Sequence, residues 1–234
     1  MTDAPATPAG APPASALARR PVDPHALGHR THGGHHGPAT GHGEGGPASK
    51  RITVAYGFWL FLLSDIVMFS AFFAAYAVLY REYAGGPTGR QLFEIPRVAW
   101  ETAFLLISSF VSGLAAVAMQ ARNKLWTEAA LLVTGLFGAA FLFLEMKEFA
   151  ELVAAGAGPQ RSAFLSAFFA VVGCHGLHVT AGLLWLGTMM AQVWVKGFRG
   201  TIQRRMMCFL LFWHTLDIIW VALFTTVYLL GAGA

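Results

Sequence analysis

Residues 163–193, AFLSAFFAVVGCHGLHVTAGLLWLGTMMAQV, decide the fold class. The run holds no Asp, Glu, Lys or Arg and exceeds the ~20 residues that an α-helix needs to cross a hydrocarbon core ~30 Å thick. Four more apolar runs cover roughly 54–80, 98–119, 127–149 and 206–232. Turn-forming or basic joints separate them: GGPTG at 85–89, RNK at 122–124, GAGP at 156–159 and GFRG at 197–200. The expected fold is all-α, a multi-pass transmembrane bundle of five helices filling 53–234, with joints too closely spaced for a soluble domain. No internal repeat and no matched pair of interrupted half-helices occurs, which weighs against a secondary transporter.

Composition agrees. The 234 residues are 56% hydrophobic and only 12% charged, and their mean hydropathy is +0.54, which leaves too little polar surface to coat a soluble globule. The formal charge is +4, but the basic residues sit between apolar runs instead of forming a face with interleaved aromatics. They therefore read as topology signals and not as nucleic-acid contacts. Cys174 and Cys208 lie in or beside apolar runs and read as small packing residues, since a disulfide framework or zinc cluster needs more partners.

Residues 1–52 differ sharply. The first fifty hold eight prolines, nine glycines and six histidines (His25, His29, His32, His35, His36, His42). This composition predicts a disordered tail. It has no apolar core of the secretory-signal type, so the first hydrophobic run is expected to direct insertion. The histidines have no fixed spacing and no carboxylate partners, so adventitious metal binding, or none, is expected there.

Basic residues set the orientation. Lys50, Arg51, Arg122, Lys124, Lys196, Arg199, Arg204 and Arg205 fall on one side, against Arg81, Arg90, Arg97 and Arg161 on the other, with Lys147 near that boundary. The richer side is cytoplasmic, so the N-terminus is expected inside and the C-terminus outside. Trp100, Trp126 and Trp194 near helix ends suit interfacial anchoring, whereas Trp59, Trp185, Trp213 and Trp220 are expected to pack between helices. A small-residue stripe, Ala163, Ala167, Ala170 and Gly173, is expected to allow close backbone approach.

Functional candidates are the ionisable groups inside the apolar runs. Counting ~1.5 Å per residue from Val54 puts Asp65 about 17 Å deep, close to the midplane. A bare carboxylate there is costly, so Asp65 must be protonated, paired, or facing polar partners. It is either a proton-handling or ligand-anchoring group or an interhelical strut. His175 and His178 share one helix face, as do His214 and Asp217. Three histidines with one or two carboxylates suit a metal or haem, but no Glu-x-x-His pattern accompanies them. Hydrogen-bonded struts are the preferred reading. Glu145 and Glu148 form a further same-face pair, about 27 Å along their helix from Thr127 and so near the outer interface. They either pair with a neighbouring helix, loop or lipid head group or lie at a solvated helix end.

The stretches GFWLFLLSDIVMFSAFFAAYAVL (57–79), GGPTG (85–89), FLSAFFAVVGCHGLHVTAGLLW (164–185) and FWHTLDIIW (212–220) together closely resemble subunit III of haem–copper terminal oxidases. The resemblance runs in order from about 54 to 231. Five helices behind a polar, His-containing tail look most like the bacterial cytochrome o ubiquinol oxidase branch. Subunit III of cytochrome c oxidases commonly has seven helices, although some bacterial forms have five. The first-helix carboxylate, typically Glu in mitochondrial relatives, is Asp65 here.

The resemblance implies a scaffold without a catalytic centre, haem or copper of its own. Such a chain packs beside the haem- and copper-bearing catalytic subunit I, with subunit II and a small subunit IV, in the bacterial cytoplasmic (inner) membrane. Phospholipids occupy its helical cleft. Oxygen reduction, proton pumping and quinol oxidation belong to subunit I, while subunit III supports proton uptake and protects against turnover inactivation. Asp65, His175, His178, His214 and Asp217 are then polar struts or lipid-cleft residues. The competing classes are subunit III of a bacterial cytochrome c oxidase, a self-sufficient metal or haem membrane enzyme, and a transporter.

Overall fold

A computed structural model describes residues 50–229 and Gly231. The tail histidines lie outside the described residues. Among the described residues six α-helices and one π-helical turn follow in order: α1 (Lys50–Leu79), the one-turn α2 (Gly89–Leu92), α3 (Ile95–Gln120), α4 (Lys124–Ala154), α5 (Ala163–Lys196), α6 (Gly200–Leu223) and the π turn Phe224–Leu229. Five segments are long and apolar enough to cross a membrane: Arg51–Leu79, Ile95–Gln120, Lys124–Ala154, Ala163–Lys196 and Gly200–Leu229. The chain is a multi-pass membrane protein. Helices extend past the apolar runs because capping, not hydropathy, ends them. Asn123 accepts the Trp126 N–H and starts α4, Ser162 accepts the Leu165 N–H and starts α5, and Gly197 closes α5 at φ +63°.

α3 and α4 form the most extensive pairing, joined by a tight turn in which Arg122 takes φ +54°. Their buried residues recur at alternating spacings of three and four: Val98, Glu101, Leu105, Ser108, Ser112, Ala115 and Met119 on α3, and Thr127, Leu131, Thr134, Gly138, Phe141, Glu145, Glu148 and Leu152 on α4. This is a coiled-coil seam. It runs antiparallel, with Arg97 bonded to Glu151 at 2.6 Å at one end and Ser108 Oγ donating to the Thr134 carbonyl at 3.3 Å near its middle. α6 packs against α1, α3 and α5, and α5 packs against α1, α4 and α6. Of the five spans α6 is the most buried and α1 the least.

Close approach does not follow the Ala163–Gly173 stripe, because Ala163 and Ala170 point outward. It occurs around Trp213, whose indole wedges between α4 and α5. A Cβ on Gly138 would meet that ring at 2.8 Å, and one on Gly182 at 2.9 Å. Trp213 and Trp220 are buried and Trp185 half-buried, but Trp59 is 45% exposed and faces outward. Its distance along α1 gives depth and says nothing about which side of the helix it occupies. Trp100, Trp126 and Trp194 are also exposed.

Several threonine hydroxyls along the spans are satisfied within their own helix, whereas the buried Tyr83 hydroxyl has no hydrogen-bond partner. Thr102, Thr134, Thr180 and Thr215 donate to the carbonyl four residues back, as a low-dielectric surrounding requires. Between helices, Trp213 Nε1 donates to Ser108 Oγ at 2.9 Å, Trp220 Nε1 to Thr102 Oγ1 at 3.0 Å, and Tyr76 O–H to the Val227 carbonyl at 3.0 Å.

Candidate functional site

The five polar residues singled out on the first, fourth and fifth apolar runs, now α1, α5 and α6, do not converge on one point. His175 is fully buried, its ring packed among Phe69, Phe141 and Trp220 at centroid distances of 6.4, 5.9 and 5.2 Å. Neither of its ring nitrogens has a hydrogen-bond partner. His178 is one turn on; its Nδ1 lies 2.7 Å from the Cys174 carbonyl. A carbonyl only accepts, so Nδ1 carries the proton in that bond. Asp65 is half-buried on α1 and has no side-chain hydrogen bond or ion pair among the described residues.

His214 and Asp217 share a face of α6. His214 Nδ1 meets Ser109 Oγ of α3 at 2.7 Å and stands 3.8 Å from the Asp217 carboxylate, too far for a hydrogen bond to it. Ser109 and Asp217 therefore approach the same ring nitrogen. A nucleophile–base–acid relay needs them on opposite nitrogens, so this set does not form one; the short Ser109–His214 contact joins α3 to α6. His214 also forms the common wall of two cavities. One of about 400 Å³ opens toward Arg51, Gln120, Gln203 and Arg204. The other, of about 370 Å³, is lined by Trp59, Phe69, Phe73 and Ile218. A third, of about 360 Å³, lies between Phe58, Trp185, Arg204 and Arg205. The second is mainly apolar, whereas the first and third join apolar walls to arginines, Arg51 and Arg204 in one and Arg204 and Arg205 in the other. Among the described residues no three His, Cys, Asp or Glu side chains converge to hold a metal ion.

Glu145 and Glu148 do not stand at a solvated helix end: they are 1% and 4% exposed. Their face of α4 is the seam with α3, which rise per residue along one helix does not reveal. Glu148 Oε2 accepts the Tyr228 O–H at 3.1 Å, while neither oxygen of Glu145 has a partner. Glu101 of α3, missed in the sequence reading because it follows Trp100 at a run's edge, is fully buried beside them and is also unpartnered. The detectable signal was its place in the three–four spacing of α3, in step with Val98, Leu105 and Ser108.

Ordered motifs on the helices and a seam of polar residues agree with one family. A family model for cytochrome c oxidase subunit III matches residues 38–232. The chain belongs to the cytochrome c oxidase subunit III family. Within this family it is similar to the cytochrome bo(3) ubiquinol oxidase subunit 3 of Pseudomonas aeruginosa, at 54% identity over 76% of this chain and 85% of the relative. It is also similar to the quinol oxidase subunit 3 of Bacillus subtilis, at 38% identity over 88% and 98% of the two chains. The cytochrome c oxidase subunit 3 of a Bacillus species is 41% identical over 75% of this chain and 84% of its own. As a member of this family, the chain is part of an oxidoreductase complex.

Proposed function

We propose that this chain is subunit III of a proton-pumping haem–copper ubiquinol oxidase, giving its catalytic partner structural support and bound lipid instead of a redox centre. The observation that carries the reading is the 54% identity to a chain named as subunit 3 of a bo(3) ubiquinol oxidase. Haem and copper belong to subunit I, beside which this chain packs together with subunit II and a small subunit IV. Its site is the bacterial cytoplasmic membrane, with the N-terminus inside and the C-terminus in the periplasm, because the basic residues cluster at the α1 start, the α3–α4 turn and the α5–α6 turn.

In this reading His214 ties α6 to α3 through Ser109, the His175 ring packs against Phe69, Phe141 and Trp220 of three other helices, and Asp65 lines a lipid cleft from the half-buried face of α1, between Leu62 and Phe69. The serine-to-histidine contact between α3 and α6 supports it, since each partner removes the other's polar atom from hydrocarbon. Glu148 pairs α4 with the neighbouring π turn through Tyr228. One measurement tests the assignment: the intact complex is purified in mild detergent, its chains are identified, and oxygen uptake is followed with quinol and with reduced cytochrome c. Quinol-driven uptake in a complex holding this chain and a haem-bearing subunit is expected. Uptake driven by cytochrome c, with a partner carrying a soluble copper-binding domain, would instead place the chain in the cytochrome c branch, to which the 41% identical Bacillus relative is named. Recovery of the chain alone at every detergent strength would overturn both.

A further inference from the structure

The densest set of unpartnered polar atoms lies where the N-terminal end of α3 meets the C-terminal end of α4. Glu101, Glu145 and Glu148 are within electrostatic reach of one another and only 0%, 1% and 4% exposed. All four carboxyl oxygens of Glu101 and Glu145 lack a hydrogen-bond partner. A separate unpartnered group borders them from α5. His175 is fully buried with both ring nitrogens unbonded. Its neighbour Gly176 lies directly against Glu145, whose Oε1 would be 3.0 Å from an added Cβ. The His175 ring packs on Trp220 at 5.2 Å, and Trp220 on Tyr228 at 6.1 Å.

Three separate negative charges, dry and unpaired, are far too costly for such an interior. The cavities described above are lined by other residues, and the carboxyl groups do not form a metal-binding set. The species that fits is the proton. Polar groups also lead from the cluster toward the helix ends. Tyr228, placed by the π turn, bonds Glu148; Tyr76 of α1 fixes that turn through the Val227 carbonyl. Glu148 is followed one turn on by Glu151, which Arg97 holds at 2.6 Å at the surface; Lys147 lies 3.6 Å from Glu151, and Glu94 3.7 Å from Arg97. π-helical turns inside α-helices recur at functional sites.

We propose that Glu101, Glu145 and Glu148 form a buried proton-holding site that exchanges protons with the aqueous phase at the Arg97–Glu151 end of the bundle. Each transfer breaks one carboxyl O–H bond and forms one on a neighbouring carboxylate. Tyr228 relays by taking a proton on its oxygen from the Glu145 or Glu101 carboxyl as it passes its own to Glu148, and Glu148 then loses its proton to water at the Glu151 end. The negative charge left behind is shared among the three carboxyls and faced by Arg97.

The test is infrared difference spectroscopy of the purified intact oxidase complex in H₂O and D₂O. The wild-type complex is expected to show protonated-carboxyl bands that shift in D₂O. Glu145→Gln and Glu101→Gln should each remove part of that signal. Tyr228→Phe should keep the bands and slow their exchange by about a hundredfold, the usual scale for losing a positioned proton carrier. Unchanged bands in both glutamine variants would overturn the site, and exchange that never occurs or is indifferent to Tyr228→Phe would overturn the route. If Glu145→Gln does not assemble, Glu101→Gln and Tyr228→Phe decide the matter alone. The outcome does not depend on whether quinol or cytochrome c is the electron donor.

Discussion

α1 and the α3–α4 pair are equally apolar by sequence, with the same hydropathy in their most apolar windows, yet they are held by different means. α1 buries Leu62, Phe69 and Tyr76, one residue in every seven. Each helix of the α3–α4 pair buries two in every seven, and those positions carry Glu101, Ser108, Ser112, Thr127, Thr134, Glu145 and Glu148. Exposed apolar surface costs nothing in lipid, so a single line of aromatic and leucine knobs suffices to seat α1. Where polar atoms must leave the lipid, two lines are needed to enclose them. Apolar character therefore identifies a span, and polar periodicity identifies its inner face.

Breaking the enclosed region should have the largest effect. Gly138→Leu forces a branched side chain into the Trp213 indole from a backbone position that cannot retreat. We expect loss of the monodisperse protein in size-exclusion chromatography, whereas Gly113→Leu, with nothing within 4 Å of its Cβ, should elute normally. Next in size is Ser108→Ala, which strands Trp213 Nε1 and removes the donor to the Thr134 carbonyl. A loss of about 1 kcal/mol is expected, readable as a lowered midpoint in denaturing-detergent titration. Equal midpoints would mean that the seam's hydrogen bonds contribute nothing.

On α1 the effects should be smaller and of another kind. Asp65→Asn replaces a carboxyl group that makes no hydrogen bond or ion pair among the described residues, so initial oxidase turnover and the haem spectrum should stay near wild type. Retained phospholipid, measured by mass spectrometry, or endurance during turnover should change. Immediate loss of the haem–copper spectrum would show that α1 is as tightly integrated as the seam. The smallest effect should come from Gly57→Ala, whose Cβ meets nothing within 4 Å. Its unfolding midpoint should hold or rise slightly, since alanine is the better helix former. A clear fall would expose a contact on the outward face of α1.

Much of the fold was legible. Five runs, their order and the motifs around His175, His178, His214 and Asp217 were enough for span number and family, because the bilayer imposes a length and a polarity that few other constraints mimic. The site was legible only in part. Glu145 and Glu148 were picked out as a same-face pair, but which way that face pointed required α3, and their nearest partner in character, Glu101, lies 44 residues earlier in the chain. Trp59 and Trp213 each follow a phenylalanine inside an apolar run, yet one faces outward and the other fills the gap between Gly138 and Gly182.

The sequence by itself determined the spans, the basic residues at their ends and the family, since these depend on local composition and short motifs. Tertiary structure decided which side of each helix is inside. It brought Ser109 to His214, wedged Trp213 against two glycines of different helices, and gathered Glu101, Glu145, Glu148 and Tyr228 into one dry interior. The reason is physical: in hydrocarbon an apolar side chain is at home facing lipid or protein, so its identity leaves the direction open, and only the mutual packing of helices resolves it.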